Sequence, residues 1–474
     1  MNHEQAGGPR LERVLGLGSV TLIGIAYMSP LIVLGTYGVV ADQSNGTIAA
    51  AYVVCLVAMM FTAHSYGRMS SLYPTAGSAY SYVGKEMGPH LGFLAGWLIL
   101  LDYFFLPMVA WLIGGAYLSA QFPAVPWAVW IVAFVAVTTV LNIIGIKIAA
   151  RANLLLVAFQ LLLLVFFIVL SVAHVGHGVG LLAPFWNENS TGSGIAAGAA
   201  LAAYSFIGFD AITTLAEETR DPRRNIPRAV MIAALFCGVV FIVTAYTTQL
   251  VHPGAAFDDV NSAAFEIART IGGNFFAAVF LAGLVVSQFA GGLAVQTTSS
   301  RLLYAMGRDG VLPRKVFGYL HPRFRTPAIG IVLIGIAGLS AVFFDVTTST
   351  SFINFGAFSA FTLVNLSVVV HFLRHRPTRG ILGLFGWVLI PLAGAVIDLY
   401  LLTKLDSRAI VLGAIWLVIG IVLLTWLTRG FRQPPPQMSL DEALSLEESV
   451  SLEESVSLEG VAAHQEFASK EGEH

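Results

Sequence analysis

The stretch GIAYMSP, residues Gly24 to Pro30, lies at the centre of the first long apolar segment of the chain, Leu15 to Val40. Pro30 removes a backbone donor and Gly24 weakens the turn before it, so a straight helix is not expected here. A second stretch, YSFIGFD from Tyr204 to Asp210, lies at the centre of the sixth apolar segment. Interrupted helices at matching places in two halves of a membrane protein point to a transporter's binding site, because unwound backbone is tolerated only where it lines a cavity.

The composition places the chain in the bilayer. Hydrophobic residues make up 57% of the sequence and charged residues 11%, whereas a soluble domain has about a quarter charged residues. Apolar stretches long enough to cross a membrane number twelve. In chain order they are Leu15 to Val40, Ala49 to Tyr66, Gly88 to Phe122, Trp127 to Ile146, Leu154 to Ala173, Gly194 to Leu215, Ala229 to Val251, Phe275 to Ala294, Ala328 to Phe344, Phe352 to Leu373, Ile381 to Leu402 and Ala409 to Leu427. The sequence therefore predicts an all-α polytopic membrane protein with twelve transmembrane helices, numbered here in this order.

The distribution of basic residues predicts the orientation. With both termini in the cytosol, only Arg269, Lys404 and Arg408 of the 25 Lys and Arg residues lie outside, which the positive-inside rule favours strongly. No cleavable signal peptide is expected, since the first apolar segment is long and follows a polar start. Cys55 and Cys237 lie in apolar segments and are interpreted as buried hydrophobes.

The chain is predicted to divide into four parts. Residues 1–14 form a cytosolic tail, and residues 15–373 form the transport core of two five-helix repeats, 15–173 and 194–373. Residues 374–430 hold helices 11 and 12. Residues 431–474 form an acidic tail in which SLEESV repeats from Ser445 to Val456. A period of six fits no helix face, so this tail is expected to be solvated and disordered.

Two carboxylates lie well inside the predicted helices. Asp210 follows the break in helix 6, and Asp102 is about 21 Å along helix 3 from Gly88 at 1.5 Å per residue. A charge at bilayer depth is costly and usually faces a cavity or a partner. Two such carboxylates suit a diamine with two positive charges. The alternative for each is a structural pairing with helix ends or neighbouring hydroxyl groups.

Aromatic rings near the breaks are candidates for contact with a cation. They are Tyr27, Tyr103, Tyr204, Phe206 and Phe209, and the backbone positions Ala26 and Gly208 complete the predicted substrate site. The alternative is that these rings serve packing or interface anchoring. Glu217 and Glu218 follow helix 6 beside several arginines and are predicted to form ion pairs at a gate. His64 and His371, near inner helix ends, are interpreted as capping residues.

Several loops in order resemble those of the amino acid-polyamine-organocation superfamily of secondary transporters. The stretches that carry the likeness are SYGRMSSLYPTAGSAY from Ser65, EETRDPRRNIPRA from Glu217, RLLYAMGRDGVLP from Arg301 and RTP from Arg325. Gly24 to Pro30, LLDYFFLPM from Leu100 and VFGYLHPRF from Val316 look closer still to bacterial putrescine importers. The resemblance implies a LeuT-like core of two inverted five-helix repeats, helices 1 to 5 and 6 to 10, which works by alternating access. Tyr103 matches the putrescine-importer pattern.

Two positions depart from that pattern. Amino acid permeases of the superfamily usually hold the substrate carboxylate at a glycine-rich break in helix 1, whereas this chain has Gly24-Ile25-Ala26-Tyr27-Met28. Fewer glycines leave fewer amides within reach of an anion, which favours a diamine over an amino acid. Many relatives carry a lysine on helix 5 where this chain has Gln160, which cannot carry a proton. Coupling then uses a carboxylate, Asp210 first, or an ion other than a proton.

These observations predict an importer of a polyamine, putrescine in particular, in the cytoplasmic membrane, with proton symport. An amino acid permease of the same superfamily is the alternative. An enzyme is disfavoured because clusters for metal or nucleophile chemistry are not apparent, and a channel because no filter-like loop repeats. The expected partners are a small cationic substrate and the lipid bilayer. No cofactor, metal or nucleic acid is expected.

Overall fold

The computed structural model describes residues 13–75, 78–145, 150–176, 180–308, 310–376 and 380–436. The described chain is helical, apart from loops and one isolated bridge between Leu15 and Thr219. The apolar helices, numbered as in the sequence, are Leu17–Gly35, Ile48–Leu72, Pro89–Gln121, Trp127–Ile144, Asn153–Ala173, Gly192–Glu217, Pro222–Val251, Val260–Arg308, Ala328–Phe343, Val346–His375, Phe385–Leu402 and Ser407–Leu427. The acidic repeat and most of the predicted N-terminal tail lie outside the described residues.

Eleven of these helices in the described chain are long and apolar enough to cross a membrane. Helix 9 falls short of that length, since its α-helical part ends at Gly338 and a 3-10 turn continues to Phe343. Four helices are markedly longer than the hydrophobic pattern predicts. Helix 2 continues to Leu72, helix 7 begins at Pro222, helix 8 begins at Val260 with a kink at Gly273, and helix 10 begins at Val346. These extra turns contain polar residues, so hydropathy alone does not predict that they are helical.

Both predicted breaks are present. The α-helix of helix 1 stops at Tyr27 and resumes at Ile32, with Ser29 in the left-handed region at φ 44°. The α-helix of helix 6 stops at Ala202, and 3-10 turns before and after Gly208 complete the crossing. The two predicted breaks are confirmed: Pro30 cannot donate a backbone hydrogen bond, and Gly208 permits the positive φ of 113° found in the helix 6 break.

Helix 6 is the innermost of the described helices. In its most apolar window 83% of the residues are buried within the protein, against 17% for helix 12 and 28% for helix 4. The exposed apolar side chains of the outer helices suit contact with lipid. The broken helix that carries Asp210 therefore runs through the centre of the bundle, where its polar groups must find partners in the protein or in a substrate.

Candidate substrate site

The two breaks touch each other at Gly208. Its φ is 113°, and a Cβ atom placed there would lie 2.9 Å from the carbonyl carbon of Tyr27 and 3.0 Å from its oxygen. A side chain is excluded both by this contact with main-chain atoms and by the backbone conformation. Glycine at this position brings the unwound part of helix 6 directly against the unwound part of helix 1.

The N–H groups of the helix 1 break are already hydrogen-bonded. Met28 and Ser29 donate to carbonyls within helix 1, Leu31 donates to the side chain of Gln160, and Ile32 donates to the carbonyl of Ser29. Pro30 has no N–H. These amides are therefore not free to bind a substrate. A substrate carboxylate would have to displace one of these bonds to be held there.

Asp210 begins the 3-10 turn after the helix 6 break and is 8% exposed. Its Oδ1 accepts a hydrogen bond from the Gly208 amide at 3.4 Å, and its carbonyl accepts one from Thr213 at 2.7 Å. Among the residues that the structure describes, no cationic side chain forms an ion pair with it. The carboxylate is thus positioned by backbone groups and keeps its charge available for a cation.

Asp102 lies on the continuous part of helix 3, facing the same region. Its Oδ1 is buried and accepts no hydrogen bond within the described chain. The carboxylate lies close enough to Asp210 for the two charges to interact, and Tyr204 lies within the same range of Asp102. The fold therefore brings the two predicted carboxylates together. Two buried like charges repel, so a dication or protons must accompany them.

The predicted aromatic residues do not share one environment. Phe206 is fully buried and packs edge-on against Phe241 of helix 7, with ring centroids 5.4 Å apart. Tyr204 is 6% exposed beside Asp102, whereas Tyr27 is 44% exposed. Tyr103 is half-buried, and its carbonyl accepts a hydrogen bond from the Ser299 hydroxyl, which ties helix 3 to helix 8. Tyr204 therefore lies within electrostatic range of Asp102, and Tyr103 is the neighbour of Asp102 in the sequence.

Tyr66 belongs to this region although sequence reasoning did not select it. Its ring makes edge contacts with Tyr82, Phe209 and Phe361 at centroid distances of 5.7 to 6.2 Å. Its hydroxyl is buried, has no hydrogen-bond partner in the described chain and lies within electrostatic range of Asp210. The apolar pattern of helix 2 ended at Tyr66, which made this residue look like the start of a loop. The extension of helix 2 carries it inside the bundle.

Gln160 of helix 5 fastens the break in helix 1. Its Oε1 accepts hydrogen bonds from the Ser29 hydroxyl at 3.1 Å and from the Leu31 amide at 3.3 Å. The Ser29 hydroxyl also lies 3.2 Å from that of Ser287 on helix 8. A neutral side chain therefore links helices 1, 5 and 8. Gln160 positions the break and carries no proton, as the residue type predicts.

The predicted ion pairs of Glu217 and Glu218 do not form among the described residues. Glu217 is exposed, while Glu218 is 3% exposed and neither of its carboxylate oxygens has a hydrogen-bond partner. Leu15 instead pairs with the backbone on both sides of Thr219. Its amide donates to the backbone carbonyl of Glu218, and its carbonyl accepts a hydrogen bond from the backbone amide of Arg220. This pairing, called the Leu15 latch below, joins the start of helix 1 to the end of helix 6.

The Leu15 latch is expected to loosen as pH rises. Burial, with a smaller effect of the Glu217 charge, raises the pKa of Glu218 from 4.5 to about 7. Glu218 therefore holds a proton while the latch is closed, and releases it when the latch opens and water reaches its carboxyl group. Its stability falls as pH rises from about 4.5 to about 7, and the loss is complete above that range. A spin label at Val14, in protein without native cysteines, should become more mobile over this range.

The matched control is Glu218→Gln, which keeps the side-chain volume but cannot ionise. The label at Val14 should then stay immobile at both ends of the range. An equal gain of mobility in this variant would refute a role for Glu218 and assign the change to another group.

His64 and His371 join neighbouring elements and do not cap their own helices, which corrects their interpretation. His64 Nε2 lies 2.9 Å from the carbonyl of Gly386, at the start of helix 11. His371 Nδ1 lies 2.6 Å from Glu86 Oε1, which also accepts a hydrogen bond from Tyr73. Glu86 lies on the short helix Ser78–Met87. These contacts join helix 2 to helix 11 and helix 10 to the short helix Ser78–Met87, and they lie outside the candidate substrate site.

A cavity of about 460 Å³ opens between the loops around Asn45, Asn187 and Gly254. None of the predicted site residues lines it. The carboxylate of Glu188 is its one acidic lining group, and its other polar lining residues are amides. The paired carboxylates of Asp102 and Asp210 therefore remain the better site for a dication.

A model of the family described as amino acid permease matches residues 15–438 of the chain. The chain belongs to the amino acid permease family. The low-affinity putrescine importer PlaP of Escherichia coli (strain K12) is 39% identical over 434 residues, covering 90% of this chain and 96% of that protein. The branched-chain amino acid permease BcaP of Bacillus subtilis (strain 168) is 27% identical over 441 residues, covering 88% of this chain and 93% of the permease.

A further relative is the cationic amino acid transporter 4 of Mus musculus. It is 29% identical over 397 residues, which cover 76% of this chain and 60% of the mouse protein. The resemblance drawn from the loop motifs is confirmed by these matches. Membership of the amino acid permease family identifies the chain as a transporter-type membrane protein, and the named relatives are transporters by their own descriptions.

Proposed function

We propose that the chain is a secondary active transporter that imports a polyamine, putrescine in particular, across the cytoplasmic membrane. The observation that carries this proposal is the pair Asp102 and Asp210, which share one buried region and have no cationic partner in the described chain. A four-carbon diamine presents one ammonium group to each carboxylate. The 39% identity to a putrescine importer over 90% of the chain supports the same substrate.

An amino acid permease is the second candidate, since BcaP is named for branched-chain amino acids. Such a substrate needs donors for its carboxylate. The occupied amides of the helix 1 break count against this substrate, because each is committed to a carbonyl or to Gln160. Displacing one would leave a buried polar group without its partner at a cost of about 1–3 kcal/mol.

We propose proton symport with Asp210 as the first residue to carry the coupled proton. Gln160, at the position where relatives carry lysine, is neutral and engaged as an acceptor. Asp210, which directly follows the helix 6 break, is then the carboxylate proposed to take up the coupled proton. This assignment puts substrate and proton in competition for one carboxylate, which is a simple way to couple their movements.

The test of the proposed function uses purified protein in liposomes. Labelled putrescine should exchange in counterflow, and an inward proton gradient should drive accumulation that a protonophore abolishes. Counterflow of a neutral amino acid without putrescine counterflow would establish the alternative substrate class. Accumulation driven by a sodium gradient at fixed pH would refute proton coupling.

The proposed architecture has twelve crossings, with helix 9 as a short one, two inverted repeats and both termini in the cytosol. Single cysteines at Ser190 and Asp258 are expected to react with an impermeant thiol reagent from outside, in a background without Cys55 and Cys237. Cysteines at Arg223 and Arg314 should react only after the membrane is permeabilised. The reverse pattern would invert the proposed orientation, which rests on the distribution of Lys and Arg.

A further inference from the structure

A second buried carboxylate site lies where helices 2, 10 and 11 meet. Asp398 of helix 11 is fully buried. Its Oδ2 accepts hydrogen bonds from Thr62 Oγ1 and from Asn365 Nδ2, each at 2.9 Å. Asn365 Nδ2 also lies 3.0 Å from Thr62 Oγ1. These three residues are called the Asp398 cluster.

The Asp398 cluster lacks a donor. Asp398 Oδ1 and Asn365 Oδ1 are both buried acceptors without a hydrogen-bond partner in the described chain. No cationic side chain among the described residues pairs with Asp398. An ionised carboxylate here would bury a charge among neutral groups and would leave two acceptors without a donor. Native structures avoid both buried unpaired charges and buried unsatisfied acceptors.

The titratable groups around the cluster do not supply the missing donor. Cys55 and Tyr66 of helix 2 lie within electrostatic range of Asp398, and both are neutral at ordinary pH. His371 of helix 10 is hydrogen-bonded to Glu86. The part of helix 6 that packs on helix 11, Gly192–Ala202, contains no ionisable residue. The Asp398 cluster therefore lacks one donor hydrogen, which a proton bound to the carboxylate would supply.

Gly394 makes the cluster geometrically possible. It lies one turn before Asp398, and a Cβ atom placed there would be 2.9 Å from Asn365 Nδ2 and 3.0 Å from its Oδ1. The glycine lets the amide of Asn365 lie against the helix 11 backbone, beside the carboxylate. The Asn365 amide nitrogen donates to one oxygen of the Asp398 carboxyl group, and its amide oxygen can accept a hydrogen bond from an O–H on the other. A protonated carboxylic acid is expected to pair with an amide in this way.

We propose that Asp398 binds a proton on Oδ1 and that this proton is taken from water on one side of the membrane and released to water on the other during transport. With the proton bound, helices 2, 10 and 11 are joined through satisfied hydrogen bonds. Without it the carboxylate is stable only where water reaches it, so release requires helices 2 and 11 to separate. This inference rests on the proposed proton-coupled transport and adds a site apart from Asp210.

Asp398→Asn is the decisive variant, because its amide supplies the missing donor permanently and keeps the volume. It should fold, retain putrescine counterflow within about twofold of wild type, and lose accumulation driven by a proton gradient by about tenfold or more. Asp210→Asn is the matched control, since loss of a substrate carboxylate should impair counterflow as well.

Infrared difference spectra across a pH step give a second measurement. The protonated-carboxyl band that disappears with rising pH in wild type should be absent from Asp398→Asn.

Several results would overturn the proposal. Undiminished proton-driven accumulation in Asp398→Asn would mean that the acid has only a structural role. If Asp398→Asn lost accumulation driven by a sodium gradient and kept accumulation driven by a proton gradient, the Asp398 cluster would be a sodium site. If wild-type protein showed no putrescine counterflow, the proposed substrate would fail. An infrared band that depended on Asp398 would then still support the proton site, so the two failures are distinguishable.

Discussion

Asp210→Asn is expected to reduce putrescine uptake at least about tenfold, which corresponds to about 1.4 kcal/mol or more of lost binding. The substitution keeps the volume, and its amide oxygen can still accept the hydrogen bond from Gly208 that positions the side chain. What it removes is the charge beside Asp102 in the most buried helix of the bundle. Initial rates in proteoliposomes with equal amounts of reconstituted protein measure the effect.

The control for Asp210 is Glu217→Gln, which removes a carboxylate of the same helix at an exposed position. Its uptake should stay near that of wild type, because a solvated charge contributes little. Asp210→Glu should recover part of the activity if charge is the essential property. Wild-type rates for Asp210→Asn would instead assign the residue to capping the 3-10 turn that it begins.

The sequence predicted those features that depend on neighbouring residues. Pro30 lacks a backbone donor and Gly208 permits a positive φ, and both breaks lie where the sequence predicts them. Asp102 and Asp210 were found because a charge inside an apolar stretch is visible without knowledge of the fold. The same reasoning missed helix extensions with polar turns, which is why Tyr66 was placed at a helix end and not beside Asp210.

Contacts between distant parts of the chain could not be predicted from one sequence. The Leu31 amide of the helix 1 break donates to Gln160, which lies 129 residues away in the sequence. Asp398 lies near the end of its predicted segment, where a charge does not by itself indicate a buried site, and its partner Thr62 is 336 residues away. Residue type indicates that a buried carboxyl needs a partner, but only the packing of helices 2, 10 and 11 identifies that partner.

Ornithine is expected to compete for labelled putrescine uptake at least about thirtyfold more weakly than putrescine, a difference of about 2 kcal/mol or more. The two molecules differ only by the carboxylate of ornithine. The occupied amides of the helix 1 break offer it no donor, and Asp102 and Asp210 repel it in a poorly screened site. Cadaverine and spermidine should compete measurably, and neutral and acidic amino acids should not. Concentrations for half-inhibition of initial uptake give the comparison.

Tyr103 allows the cationic character of the site to be tested from the protein side. Tyr103→Ala should raise the half-saturation concentration for putrescine more than Tyr103→Phe, because an ammonium group gains about 0.5–2 kcal/mol from a ring face that phenylalanine retains. The hydrogen bond from Ser299 goes to the Tyr103 carbonyl and survives both substitutions, so the helix 3 to helix 8 contact stays as a common background. Equal effects of the two variants would assign the role to the hydroxyl. If ornithine or a neutral amino acid competed better than putrescine, the carboxylate pair would not be the substrate site, and the amino acid permease alternative would replace the polyamine assignment.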